Sequence, residues 1–298
     1  MSLILENKNI KGIVFTPDYV AAVMAKILLQ FNPESVIDIC AGYGSLLEAV
    51  SKINPNIKLY GIELEEELVN IADPNLNIKL GDSLSEHTYD EYDGAILNPP
   101  YTKNYNGLEF VKKALFLLRR GKICIVIVPV NTARGHNTMK EILAGHRLLC
   151  SVKMPVDLFY PNASVATVIY LFQSYIPHDF NNDKVKFIDF SNDGYKRTKR
   201  KTASLKNTDN ADARYELLPE LVMGNTPAIH NEARKDEEIY IEGLATPECN
   251  NLIIDAHRKI DTTPTEEDFR RVVWDYMEWE VKQYLDEAKE NFIYGDKK

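Results

Sequence analysis

Long apolar runs are missing from this 298-residue chain. Nothing approaches the ~18–20 apolar residues of a membrane helix, so no membrane association is expected. The opening MSLILENKNIKG has neither a basic lead nor a small-residue cleavage site, and a secretory leader is not expected. Cysteine is scarce: Cys40, Cys124, Cys150 and Cys249 show no paired spacing. They read as reduced thiols of a cytoplasmic protein, with neither a disulfide nor a zinc framework. The six histidines lack HExxH or comparable ligand spacing, so no metal is expected. Positive charge is short in the last part of the chain. Residues 216–298 carry 10 basic and 20 acidic side chains, against a near balance of 25 and 24 in residues 1–215. Such an acidic section is unsuited to lie along phosphates. The remaining composition, 45% hydrophobic with 14 Gly and 14 Pro, excludes disordered and collagen-like classes and fits a globular enzyme.

What is there is an alternation of strand and helix signals. Residues 17–31 are apolar at helical spacing behind a proline suited to a first turn. Strand-like runs follow at 35–40, 58–63, 77–82, 93–98 and 122–129, with helical stretches near 45–52, 65–72 and 107–119. Two more strands, 148–155 and 165–173, have no room for a crossover helix between them and are expected to pair antiparallel. Residues 185–190 could add one more strand. Strands apolar on both faces and separated by helices imply a parallel sheet covered on both sides. The expected fold is therefore α/β: a doubly wound, mostly parallel, seven-stranded sheet with one antiparallel strand. A catalytic domain is expected over 1–180, and a smaller, mostly helical section over 181–298. In such sheets ligands collect at the carboxyl ends of the strands.

The chemistry-bearing residues sit at those ends. Asp38-Ile-Cys-Ala-Gly42-Tyr-Gly44 is a glycine loop at a helix start, where the backbone can approach a ligand closely. A dinucleotide fingerprint would place a third glycine at position 47, which is Leu47, so NAD is disfavoured. Glu63 ends the next strand and can accept both hydroxyls of a ribose. Asp82 ends the third and can accept from an adenine amino group. Each acid could instead merely cap a helix or face water. Asn98-Pro99-Pro100-Tyr101 ends the fourth strand. An exocyclic amino group on an aromatic base is a poor nucleophile because its lone pair is delocalised. The Asn98 amide oxygen and the Pro99 carbonyl can accept its two hydrogens and localise that pair, with the prolines fixing the aim. Tyr101 can stack on a base taken out of a helix.

Together these motifs resemble those of amino-group DNA methyltransferases that use S-adenosylmethionine. Phe15-Thr16-Pro17 resembles the FTP segment of the adenine-specific group that includes type I modification subunits, where it lies over the methionine end of the cofactor. Phe159-Tyr-Pro-Asn-Ala-Ser-Val-Ala-Thr167 resembles the loop whose aromatic residue stacks on the flipped adenine, matched here by Phe159, with Tyr160 as the alternative. The resemblance covers about residues 12–175. It implies a Rossmann-like methyltransferase fold and S-adenosylmethionine held by Phe15, Thr16, Pro17, Asp38, Gly42, Gly44, Glu63, Asp82 and Asn98. It also implies Asn98, Pro99, Pro100 and Tyr101 as the catalytic group, and a flipped DNA adenine stacked by Tyr101 and Phe159. A restriction-modification or phage-defence setting follows. The alternatives are a methyltransferase for rRNA guanine or protein glutamine, which also use NPPY-like strand ends, and a catalytically idle binding module.

Two segments remain. KRTKRK, 196–201, is the one dense basic run and reads as a solvated loop or a mobile arm near phosphates. Arg119, Arg120 and Lys122 read as a helix C-terminus. Residues 265–292 read as a long helix with six aromatic residues on more than one face. That helix either covers the catalytic domain or docks a sequence-recognition subunit or a second copy of the chain.

Overall fold

The computed structural model describes residues 14–85, 91–101, 107–160, 163, 165–199, 203–224 and 239–258, together with positions 270, 274, 277 and 281. Two compact units divide the chain, Met1–Arg258 and Lys259–Lys298. In the second, the four described positions are helical, with Trp274, Met277 and Val281 exposed. The rest of the expected 265–292 helix lies outside the described residues.

In the first unit, helix α1 (Asp18–Leu29) follows Pro17, whose extended backbone makes it the N-cap. Val20, Val23, Met24, Ile27 and Leu28 line its buried face at the spacing one helix stripe requires. Then come β1 (Ser35–Asp38), α2 (Ser45–Ile53), β2 (Lys58–Glu63), α3 (Glu66–Ile71), β3 (Ile78–Leu80), β4 (Tyr92–Leu97), α4 (Leu108–Phe116) and β5 (Leu118–Pro129). Helix α5 (Asn137–Gly145), β6 (Arg147–Lys153) and β7 (Thr167–Gln173) follow. The described part closes with β8 (Lys184–Asp189), the hairpin β9 (Tyr195–Lys199) and β10 (Ala203–Asn207), α6 (Ala211–Met223) and β11 (Tyr240–Leu244).

The main sheet has the order β11-β8-β6-β7-β5-β4-β1-β2-β3. Strand β7 runs antiparallel to both β5 and β6, as the short connection between β6 and β7 demands. The core order β3 to β6 holds the seven expected strands. The sheet is wider than that, because β8 pairs parallel with β6 and β11 pairs antiparallel with β8. Nine strands and two antiparallel members replace seven and one. The edge strand β11 has no buried side chain, so its sequence carries little of the apolar signal that marks a buried strand.

Strand β5 is apolar from Ile123 onward because each face there meets a different core. Ile123, Ile125 and Ile127 join α1, α2 and α6 on one side. Cys124, Val126 and Val128 join α4 and α5 on the other. Three further expectations are corrected. Helix α4 stops at Phe116, and Arg119 and Lys122 belong to β5, where both pair with Asp93 of β4. The KRTKRK run is no free arm, since Lys196–Lys199 lie in β9, paired with β10. The described part of 181–258 has four strands and one α-helix and is not mostly helical.

Candidate active site

Parallel β1, β2, β3 and β4 present their carboxyl ends side by side. Between them lies a cleft of about 210 Å³ lined by Phe15, Thr16, Asp38, Gly42, Glu63, Asp82, Asn98, Pro99, Pro100 and Tyr101, among others. The topology thus brings together residues that span 87 positions of sequence, from Phe15 to Tyr101. Sequence reasoning missed Cys40, Ser83 and Phe110, which also line the cleft. A small or apolar residue beside a strand end carries no pattern of its own that would single it out.

The three strand-end acids share one device. Asp38 accepts the Cys40 backbone N–H at 2.9 Å, Glu63 that of Glu65 at 2.9 Å, and Asp82 that of Leu84 at 3.0 Å. Each acid therefore turns the chain out of its strand, and the loop-capping role and the cleft-lining role coexist in the same side chains. Glu63 also receives the Gly42 N–H through Oε2 at 2.6 Å, tying the glycine loop to β2. Burial pushes the Asp38 carboxyl up to about 8, against the Cys40 bond that favours the ion, with nearby Glu63 raising it further.

The two loop glycines do different work. Gly42, at φ +57°, would direct a Cβ toward Phe15 at 3.8 Å, and its bare face looks into the cleft. Gly44, at φ +97°, is the N-cap of α2 and does not line the cleft. A Cβ there would come within 2.4 Å of Leu76, so its bareness serves packing against the residues before β3. Pro17 likewise acts at the start of α1, outside the cleft. Phe15 packs on Tyr43 with ring centroids 4.9 Å apart.

Asn98 is held from both ends. Its Nδ2 donates to the Val14 carbonyl at 3.0 Å and to Thr16 Oγ1 at 2.9 Å. Its Oδ1 lies 2.6 Å from the Tyr101 hydroxyl, which is also 2.7 Å from the Ile127 carbonyl and has one proton to share between them. Burial holds that phenol well above its usual range, so it stays a neutral donor. Phe159 is not beside the cleft: it is buried at 3% exposure in the core with Met154 and Leu158, while Tyr160 next to it is exposed. The residue matched to the base-stacking aromatic is thus buried in this structure.

The cleft is rich in acceptors, with four carboxyls and an amide oxygen between the apolar walls of Ile39, Leu68 and Phe110. Such an acidic lining fits a ligand that brings its own donors and positive charge, as S-adenosylmethionine does with its ammonium, ribose hydroxyls, amino group and sulfonium.

Comparison with known proteins agrees with this geometry. The N-6 DNA methylase family matches residues 3–117 and 108–216. The type II restriction enzyme and methyltransferase RM.BcgI of Heyndrickxia coagulans is 27% identical over 333 aligned positions, covering 95% of this chain and 49% of that protein. The methyltransferase subunit of a type I restriction-modification system from Streptococcus thermophilus superposes with a TM-score of 0.58 at 18% identity, over 73% of this chain and 54% of that one. The M protein of the type I restriction enzyme EcoKI gives 0.58 at 14%, over 84% and 68%. At such identities the structures establish the fold, a mostly parallel methyltransferase sheet. The chain spans about half the length of the curated relatives it matches. With a family match running through the glycine loop, the strand-end acids and the NPPY strand end, the chain belongs to the N-6 DNA methylase family.

Proposed function

We propose that this chain transfers a methyl group from S-adenosylmethionine to the exocyclic amino nitrogen of an adenine in DNA. The observation that carries the reading is the hold on Asn98: it lines a cleft whose other polar groups suit the methyl donor, with Nδ2 bound by Val14 and Thr16, which leaves Oδ1 as its acceptor end. When bound, S-adenosylmethionine supplies a methyl group activated by a sulfonium leaving group. Glu63 and Asp82 would hold the nucleoside part and Asp38 the cationic end. Asn98 Oδ1 and the Pro99 carbonyl would take the two amino hydrogens, drawing the lone pair onto nitrogen as charge develops. For a base to reach Asn98, the Tyr101 hydroxyl has to release Oδ1, and the ring would then be available to stack on the extruded adenine. Tyr160, exposed beside buried Phe159, is the better-placed aromatic of its loop to meet the base.

Relatives that are restriction enzymes and modification subunits support a restriction-modification setting. Sequence recognition is assigned to residues 181–298 or to a partner subunit. The test offers labelled S-adenosylmethionine with DNA, rRNA and a glutamine-bearing protein, followed by mass spectrometry of the nucleosides. Methyladenine from DNA is expected, and lost in Asn98→Ala while the variant still folds and binds the donor. Label in rRNA or protein alone, or an Asn98→Ala rate within tenfold of wild type, overturns the reading.

A further inference from the structure

The FTP resemblance assigns Thr16 to the cofactor. In the structure its hydroxyl is engaged elsewhere, 2.9 Å from Asn98 Nδ2, and Thr16 is 4% exposed. A primary amide has a donor end and an acceptor end, and for a catalytic asparagine only one of the two can receive an amine hydrogen. The Val14 carbonyl, 3.0 Å from the same nitrogen, cannot donate. Turning the amide over would set Oδ1 against that carbonyl, lone pair against lone pair, and leave Nδ2 facing the side from which a base arrives. The Val14 carbonyl thus fixes which end of the Asn98 amide turns toward it, and Thr16 Oγ1, which can donate or accept, holds that nitrogen end in place. The fixing comes from 84 and 82 positions away in sequence, so it depends on the segment before α1 being seated against the end of β4.

We propose that Thr16 is a positioning residue for methyl transfer: beside the Val14 carbonyl, which sets the polarity of the Asn98 amide, its hydroxyl takes the second hydrogen of Nδ2 and keeps the acceptor oxygen aimed at the target amine. The inference rests on the reading of Asn98 given under the proposed function. It differs from a cofactor-binding role in what it makes rate-limiting. A cofactor contact acts on donor affinity, whereas a residue that aims Asn98 acts on the chemical step with the donor already bound. Tyr101 belongs to the same arrangement, since its hydroxyl lies 2.6 Å from Asn98 Oδ1.

The test compares wild type, Thr16→Val, which keeps the shape and loses the hydroxyl, and Thr16→Ser, which keeps the hydroxyl. Three quantities are read: kcat at saturating DNA and donor, donor affinity by calorimetry, and the Asn98 side-chain amide signals in a 1H–15N spectrum of the ligand-free protein, assigned by their loss in Asn98→Ala. Thr16→Val is expected to lower kcat about tenfold or more, the size of one lost aiming hydrogen bond. Donor affinity should stay within about twofold, and the Asn98 amide signals should move. Thr16→Ser should restore both. A tenfold loss of donor affinity with kcat kept at saturation would return Thr16 to the cofactor and overturn the proposal, as would unmoved Asn98 signals. If wild type transfers no methyl group to DNA, the functional reading fails, while the amide spectrum still decides whether Thr16 orients Asn98. Thermal melts guard against a folding defect, and a Thr16→Val protein that melts with wild type yet behaves as wild type in all three readouts also refutes it.

Discussion

Two buried carboxyls at opposite ends of the same parallel strands show how the site differs from the scaffold. Asp93, near the start of β4, is 7% exposed, and burial alone would raise its pKa. Arg119 at 2.9 Å and Lys122 at 3.1 Å outweigh that and hold the carboxyl below its usual range. Asp38, at the end of β1, is 1% exposed, and among the described residues no cation pairs with it. Its carboxyl rises from the usual 3.8 to about 8. A buried acid left without a counter-ion inside a cleft is a position where a cationic ligand gains most. The pH consequence follows from proton counting. Between about 4 and 8 the folded chain keeps the Asp38 proton and the unfolded chain has lost it. Asp38 therefore subtracts stability progressively as pH rises through that window, by at most about 1.4 kcal/mol per pH unit, and no further above it. Urea unfolding at pH 5, 6, 7 and 8 should show Asp38→Asn flattening the decline relative to wild type. Parallel curves for the two proteins would mean that Asp38 is ionised in the fold. Binding of a cationic donor at pH 7 should also release a proton, seen as a dependence of the calorimetric heat on buffer ionisation enthalpy.

Among the elements, the β9–β10 hairpin departs furthest from the sequence reading. Register explains it: Arg197 faces the opposite side of β9 from its neighbours Lys196 and Thr198. Lys196 is exposed, while Arg197 is 9% exposed. The guanidinium meets Asp193 by two bonds, Asp157 at 3.2 Å and the Tyr19 hydroxyl at 3.0 and 3.2 Å. Tyr215 of α6 donates to the same Asp193 at 2.8 Å. One side chain therefore ties the hairpin to α1, directly after the Thr16 segment, and to the loop that carries Phe159 and Tyr160. Removing one partner of such a pair strands the other charge. Arg197→Met should cost roughly 3–5 kcal/mol in urea unfolding, and Arg197→Met with Asp193→Leu should recover a good part of it. A single variant as stable as wild type would show that the cluster carries no net stabilisation.

On the scale of the whole molecule, the first unit closes only at its last residues. Leu252 and Ile254 are fully buried, the Leu252 carbonyl accepts from Ser151 Oγ of β6 at 2.6 Å, and Arg258 pairs with Asp189 at the end of β8 at 2.5 Å. A chain ending after Arg258 should therefore fold, melt cooperatively and bind the donor. A chain ending at residue 238 loses β11 and these contacts, bares the β8 edge, and should aggregate or melt well below the longer form. Light scattering and thermal melts on the two truncations check this, and equal stability would separate the sheet's extension from its core. Among the described residues no helix is long and apolar enough to cross a membrane.

The sequence by itself determined the order of strands through β7 and of the helices among them except α5, the antiparallel turn of β7 and the run of polar residues at the strand ends. Those signals are local: apolar period, loop length and short motifs are read within a few residues. Tertiary structure decided the rest. Thr16 acts on Asn98 across 82 positions, and Tyr19 meets Arg197 across 178. Gly44 is bare because Leu76 packs on it, and Phe159 is buried because its loop folds into the core. The weakly apolar β11 becomes a strand by pairing with β8, which supplies hydrogen bonds that its own composition does not announce. In each case the deciding partner lies far along the chain, and only folding sets the distance and direction that turn a residue type into a role.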